Sequence, residues 1–336
     1  VAAWRRPRLL LAVAAVLAVA AGGGAWGFRA LTEPCPGAPL PVTVVAQPEI
    51  VPALRDIGDR FGTQRHRVQD RCVEVRVVAE ESAATAAALA GRRVRADAWV
   101  PSSSVWFTVA LDAGADPSVV PEQAGPLAGS AVVLATTRAA WEELRRAGAE
   151  PSWRLLRSGR VEGVRVARRM PDPASHATGM FAMIALDRQG GVGDRLVREL
   201  RDAAPEKGRS VLDELLTAER FARPLVVTSE QAVVAHNRRN EPNPAVVLMP
   251  REGTLMLEYP FTGLTKDPVR LQAVDAFASA LRSRAARQTF QRYGFRAPDG
   301  TLIGTYASRH GLRETPPRAL ELPTQDDVLD AHASWR

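Results

Sequence analysis

The sequence predicts an α/β protein of two lobes, preceded by one N-terminal transmembrane helix, and three observations carry that reading. Short apolar runs alternate with stretches whose apolar residues recur at helical spacing, as in sheets joined by helical crossovers. Such a series starts at Val42 and a second starts at Ala131, and about three hundred residues exceed one small compact domain. Finally, Leu9 to Phe28 holds no charged side chain and follows Arg5, Arg6 and Arg8. About twenty uncharged residues make a helix of roughly 30 Å, the thickness of a bilayer's hydrocarbon core. The cationic flank keeps that end in the cytoplasm and exports everything after Arg29. Small residues from Ala20 to Ala25 also suit a signal peptidase, so residues 1–28 are an anchor or a cleaved signal. The length of the apolar run favours the anchor, hence a single-pass membrane protein with its bulk extracellular. Cys35 is not a lipoprotein cysteine, because Glu33 and Pro34 stand where small residues are needed.

Residues 29–40, with Pro34, Pro36 and Pro39, read as a linker. Val42 to Ala46 is an apolar strand, and Val51, Leu54, Ile57 and Phe61 mark a helix that tolerates Pro52 in its first turn. Val73, Val75 and Val77 alternate with Glu74 and Arg76 as a half-buried strand, Ser82 caps an Ala-rich helix, and Asp97 to Val100 is a third strand. This βαβαβ order implies a parallel sheet with right-handed crossovers. Ala131 to Thr136 opens the second series, followed by a helix at Trp141 and Leu144 and a strand at Val164 to Ala167. Two helices flank the Gly190 to Gly193 loop, and Leu225 to Val227 and Ala245 to Met249 complete the second sheet. Leu255 to Phe261 reads as a strand. Asp267 then caps a helix with Pro268 as its first residue and a stripe of Leu271, Val274, Phe277 and Leu281. From Thr301 onward, Pro316, Pro317 and Pro323 predict loose structure.

The net charge of +7 comes almost wholly from arginine, since Lys207 and Lys266 are the only lysines. The arginines are scattered among Asp and Glu with no interleaved aromatic platform, so nucleic acid is not expected as a partner. Cys35 and Cys72 are an even pair in an exported chain, which predicts a disulfide enclosing the first strand and helix. Neither a metal nor a cofactor is expected: the five histidines are isolated, and HExxH, GxSxG and Walker A patterns are absent. Ser175 and His176 are sequence neighbours whose side chains diverge, so the chain does not read as an enzyme.

Four polar segments fall where α/β sheets bind ligands, beyond the carboxyl ends of strands. They are Gln47-Pro48-Glu49, Ser102-Ser103-Ser104 with Trp106 following, Asp172 to Gly179 with Ser175 and Thr178, and Thr228 to Gln231 with Ser229. Helix N-termini and hydroxyls there offer N–H and O–H donors. Thr228 and Gln231 also have capping-box spacing, which accounts for them without a ligand.

These segments resemble bacterial extracellular solute-binding proteins of the type II periplasmic-binding fold. The matching stretches are Val42–Pro52, Ala96 to Ser104, Asp172–Met183, and the run from Tyr259-Pro260 through Ala273 to Leu281 and on to Gln291-Arg292-Tyr293-Gly294-Phe295. The resemblance covers roughly residues 41–297. It implies two lobes, 41–128 plus 258–315 and 129–257, a tail at 316–336, and a hinge of two crossing strands near Leu127 to Val133 and Leu257 to Thr262. It also implies a ligand held by Ser102–Ser104 and Ser175–Gly179, and an ABC-transporter permease or a sensor as partner. Gln47-Pro48-Glu49 departs from the hydroxyl residues of oxyanion binders, and Glu49 repels an anion, so an amino acid or short peptide is expected over an oxyanion. The chain also looks like the binding half of actinobacterial surface proteins that add a von Willebrand factor A domain, of which Asp326-Asp327 lacks the metal-site context; it would then be a short form or a portion of one. A surface interaction protein that keeps the fold without a small ligand, and an extracellular hydrolase, remain open alternatives.

Overall fold

Valine alternation builds the first sheet. In the computed structural model, which describes residues 35, 37–206, 209–217, 222–240 and 244–335, the chain starts with β1 (Leu40–Ala46), α1 (Val51–Thr63), β2 (Arg67–Val68), β3 (Arg71–Ala79), α2 (Ser82–Ala90), β4 (Ala98–Val100) and α3 (Val105–Asp112). β1 lies between β3 and β4, parallel to both, and buries Val42 and Val44 completely. Leu54, Ile57 and Phe61 of α1 face the core at the expected spacing.

The second sheet is mixed. It takes in β5 (Ser130–Thr137), α4 (Arg138–Arg146), α5 (Trp153–Ser158), a hairpin of β6 (Arg160–Val161) and β7 (Val164–Arg165), β8 (Ala167–Arg169), α6 (Ala177–Arg188), α7 (Asp194–Asp202), α8 (Glu214–Thr217), β9 (Pro224–Ser229), α9 (Glu230–Arg239) and β10 (Ala245–Leu248). β5, apolar on both faces and buried from Ser130 to Thr136, is flanked antiparallel by β9 and β10, and β8 runs parallel to β9. The chain returns through β11 (Met256–Leu257) and β12 (Thr262–Gly263), then forms α10 (Pro268–Leu281), α11 (Arg284–Arg292), α12 (Gly304–His310) and α13 (Gln325–Ala333). The order of the first sheet is β12-β4-β1-β3-β2.

Two chain segments pass between the sheets side by side. β11 pairs with Ser130 and Ala131, the Leu127 N–H donates to the Tyr259 carbonyl at 3.2 Å, and Pro126 bridges Pro260. The strand expected over Leu255 to Phe261 is broken, because Tyr259 is left-handed at φ 43° and interrupts the extended backbone between β11 and β12.

Three local expectations need correction. Ser82 is the first residue of α2, with Glu81 at the cap position, and its hydroxyl is turned to Gln47. Leu271 is 40% exposed, so the α10 stripe is Val274, Phe277 and Leu281. The C-terminal region is ordered: Thr324 and Asp327 form a capping box at α13, and Val328 and Ala331 are buried. α13 packs on both α3 and α6, and His332 meets the Trp106 ring edge-on at 6.2 Å. Arg188 of α6 pairs with Asp327 at 3.2 Å. Among the described residues no helix is long and apolar enough to cross a membrane, and the span expected at Leu9 to Phe28 lies outside them.

Candidate functional site

The carboxyl ends of β1 and β4 carry a chain of internal hydrogen bonds. Gln47 Nε2 donates to Glu81 Oε2 at 2.8 Å, and Gln47 Oε1 accepts from the Ser82 N–H at 2.9 Å and from its hydroxyl. Ser82 Oγ accepts from the Ser102 N–H at 3.0 Å, and Ser102 Oγ accepts from Trp106 Nε1 at 3.0 Å. Gln47, Ser102 and Trp106 are buried, so their polar atoms tie three strand-to-helix turns together.

The next residues inward are acidic. The Ser104 N–H at the start of α3 donates to Glu258 Oε1 at 2.5 Å, and Ser103, fully buried, adds its hydroxyl. Glu258 therefore supplies the anion that this helix N-terminus favours. Burial pushes its carboxyl up despite those hydrogen bonds. Glu49 is pushed up as well, chiefly by burial and further by the charge of Glu81, while His176 acts in the opposite direction. Its Oε2 is buried and has no hydrogen-bond partner. Tyr259 is fully buried with an unpartnered hydroxyl, and burial, then Glu49 and Glu258, push its phenol well up. His176, in the loop before α6, lies close enough for its charge to act on Glu49 just past the end of β1.

In that loop Asp172 accepts from the Ala174 N–H at 2.8 Å and from the Ser175 hydroxyl at 3.2 Å, so Ser175 serves the turn. Thr178 is half-buried in the first turn of α6. Gly179 is required by packing: a Cβ there would lie 2.3 Å from the Pro171 carbonyl oxygen and 3.0 Å from Pro173 N. Gly179→Ala should therefore cost about 1–3 kcal/mol of stability, as overpacking does. Urea unfolding of the full chain checks it; an unchanged midpoint would remove the packing explanation.

The fourth segment stands apart. Ser229, where Thr228 was expected, caps α9 by accepting from the Ala232 N–H at 3.1 Å. The Gln231 N–H donates to Ser130 Oγ at 3.0 Å and its Nε2 to the Tyr293 carbonyl at 3.4 Å, leaving Oε1 buried and unpartnered. Among the described residues no hydrogen bond joins this segment to the other three.

Sequence reasoning missed Glu81, Glu258 and Tyr259 as site residues, and placed His176 only within the Asp172 to Gly179 segment without a role of its own. Glu258 and Tyr259 looked like members of an apolar strand, and only the pairing of the return crossing brings them to Ser103, Ser104 and Glu49. Among the described residues no group of three His, Cys, Asp or Glu side chains could hold a metal ion. The hydroxyls of Ser102, Ser103, Ser175 and Ser229 engage Trp106, Glu258, Asp172 and Ala232, not a histidine that could activate them. Cavities of ≈ 220 Å³ beside Met183, Arg188 and Asp327 and of ≈ 320 Å³ beside Leu89, Val119 and Lys266 contain none of the expected site residues. The arrangement can accept hydrogen bonds and positive charge.

Solved structures of the same fold span nearly the whole chain. A periplasmic thiamin binding protein superposes with a TM-score of 0.63 at 13% identity, covering 89% of this chain and 96% of its own. The sulfate-binding protein SubI from Mycobacterium tuberculosis gives 0.59 at 21% identity, covering 86% and 95%. A Trichodesmium protein (IdiA, FutA) in complex with iron and citrate gives 0.60 at 11% identity, covering 89% and 97%. No curated protein matches the sequence. The family model for bacterial extracellular solute-binding proteins matches residues 42–296, and the chain belongs to that family.

Proposed function

We propose that the protein is an extracytoplasmic, non-enzymatic receptor that captures a small polar solute between its two lobes. It would serve an ABC-transporter permease or a sensor, tethered to the membrane through residues 9–28. The observation that carries the reading is the pair of buried, unpartnered polar atoms, Glu49 Oε2 and the Tyr259 hydroxyl, where the two sheets are joined. Buried polar groups are ordinarily hydrogen-bonded, and exceptions call for a functional reason. The Cys35–Cys72 disulfide suits an oxidising compartment. The similar structures carry thiamin, sulfate or iron in their names, so the fold alone does not choose a ligand. Glu49 favours an amino acid or short peptide, which presents an ammonium group, over an oxyanion.

The second reading, a surface interaction protein with no small ligand, draws on the internal hydrogen bonds that occupy Gln47, Ser102 and Ser175. Thermal-shift screening of the full chain with amino acids, short peptides, sugars and oxyanions separates the two. A true ligand at 100 times its dissociation constant should add about 2.7 kcal/mol. Silence across the whole panel would favour the interaction protein.

A further inference from the structure

We infer that the solute is a compact organic cation bearing N–H donors, seated against Glu49, Glu258 and Tyr259 at the junction of the two sheets. The inference rests on the solute-binding reading and narrows it: net positive charge is the requirement, and a zwitterionic amino acid is the weaker ligand.

Each feature of the junction points the same way. Glu258 already occupies the N-terminus of α3, taking the Ser104 N–H at 2.5 Å and the Ser103 hydroxyl. An oxyanion would have to displace that carboxylate and then lie beside Glu49 and Glu81. Among the described residues neither Glu49 nor Glu258 forms an ion pair with an arginine or lysine, and His176 is a positive neighbour of Glu49. In an arginine-rich chain of net charge +7, these two carboxylates are thus left without an arginine or lysine ion pair among the described residues.

Tyr259 adds a second, independent feature. It is completely buried, its hydroxyl has no partner, and it holds a left-handed backbone immediately before Pro260. A bulky residue avoids that conformation, and such strain concentrates at ligand clamps. Glu49 Oε2 is an acceptor and the protonated phenol can accept as well as donate, so an ammonium, amidinium or aminopyrimidine edge can give an N–H to each. A bare metal ion is the poorer occupant, because hard and transition cations need several converging ligands and no such group exists among the described residues.

Isothermal titration calorimetry of the full chain tests this with five probes: agmatine and thiamin as cations, alanine as a zwitterion, sulfate and molybdate as anions. At least one cation should bind ten-fold or more tightly than alanine, and neither anion should bind. Glu49→Gln should weaken that cation ten-fold or more, and Tyr259→Phe, which keeps the ring, several-fold. Glu49→Gln and Tyr259→Phe are nearly isosteric, and a circular-dichroism melt confirms that each variant folds. Binding of sulfate or molybdate overturns the cation while leaving the receptor reading in place. Cation binding indifferent to Glu49→Gln, or no binding by any probe, overturns it too; only silence across the broader panel above also removes the receptor.

Discussion

Arg296→Ala should destabilise the folded protein by about 3–5 kcal/mol, the usual consequence of leaving a buried charge without its partner. Arg296 and Glu230 are each 1% exposed, and the guanidinium grips the carboxylate with two bonds, Nε to Oε2 at 2.6 Å and Nη2 to Oε1 at 2.8 Å. Nη1 also donates to the carbonyls of Gly300 and Thr315 at 3.0 and 3.2 Å. The Arg296 backbone exchanges hydrogen bonds with Gly129 at 2.7 and 2.8 Å, beside the first crossing. One side chain thus joins the start of α9, the crossing and the C-terminal segment. Glu230 lies in the first turn of α9, where the helix dipole also favours its charge. Urea unfolding followed by tryptophan fluorescence measures the loss. The double variant Glu230→Met with Arg296→Met should lie much closer to the parent, because both charges are removed from the interior together. A single variant within about 1 kcal/mol of the parent would mean that water reaches Glu230, since exposed pairs contribute no more than that.

The parts legible in the sequence are those whose signal is local. Alternation at Val73, Val75 and Val77, helical spacing from Val51 to Phe61, and the Asp267-Pro268 start each give an observed element. The even cysteine pair, which reports compartment more than geometry, gives the disulfide. Local signals mislead where a distant contact decides the outcome. Leu255 to Phe261 has the composition of a strand, but the crossing against Leu127 fixes Tyr259 in a left-handed conformation that composition cannot encode. Pro316, Pro317 and Pro323 argued for a loose tail, yet Thr324 and Asp327 form a capping box and α13 is held by burial against α3 and α6. The same limit applies to the site. Ser102 to Ser104 could be placed at a strand end, but their partners are Ser82, Trp106 and Glu258, the last 154 positions away. Acidity at the sheet junction is therefore a property of the fold, invisible in a chain whose overall balance is basic.

Replacing both Cys35 and Cys72 by Ser should lower stability by about 3.8 kcal/mol, the chain-entropy value for a loop of this length. The two residues are bridged with Cα atoms 5.7 Å apart and a sequence separation of 37. The closed loop contains β1, α1 and β2, so the bridge restricts in the unfolded chain the segment that must form the parallel β1–β3 pair. The folded state needs the bridge much less. Leu40 to Ala46 are paired in register with Val73 to Ala79, and Arg71 holds the carbonyls of Ala38 and Pro39 at 3.0 and 2.9 Å. The double Ser variant should accordingly keep the fold and its ligand response while its unfolding midpoint drops. Its dependence on urea should steepen, because an uncrosslinked unfolded chain exposes more surface. Reduction of the parent protein should reproduce the variant's curve, and non-reduced peptide mapping of secreted material should recover the linked pair. Free, alkylated thiols in that material, or a reduced protein as stable as the oxidised one, would refute the bridge as a source of stability and leave Arg71 as the tether of the N-terminal segment.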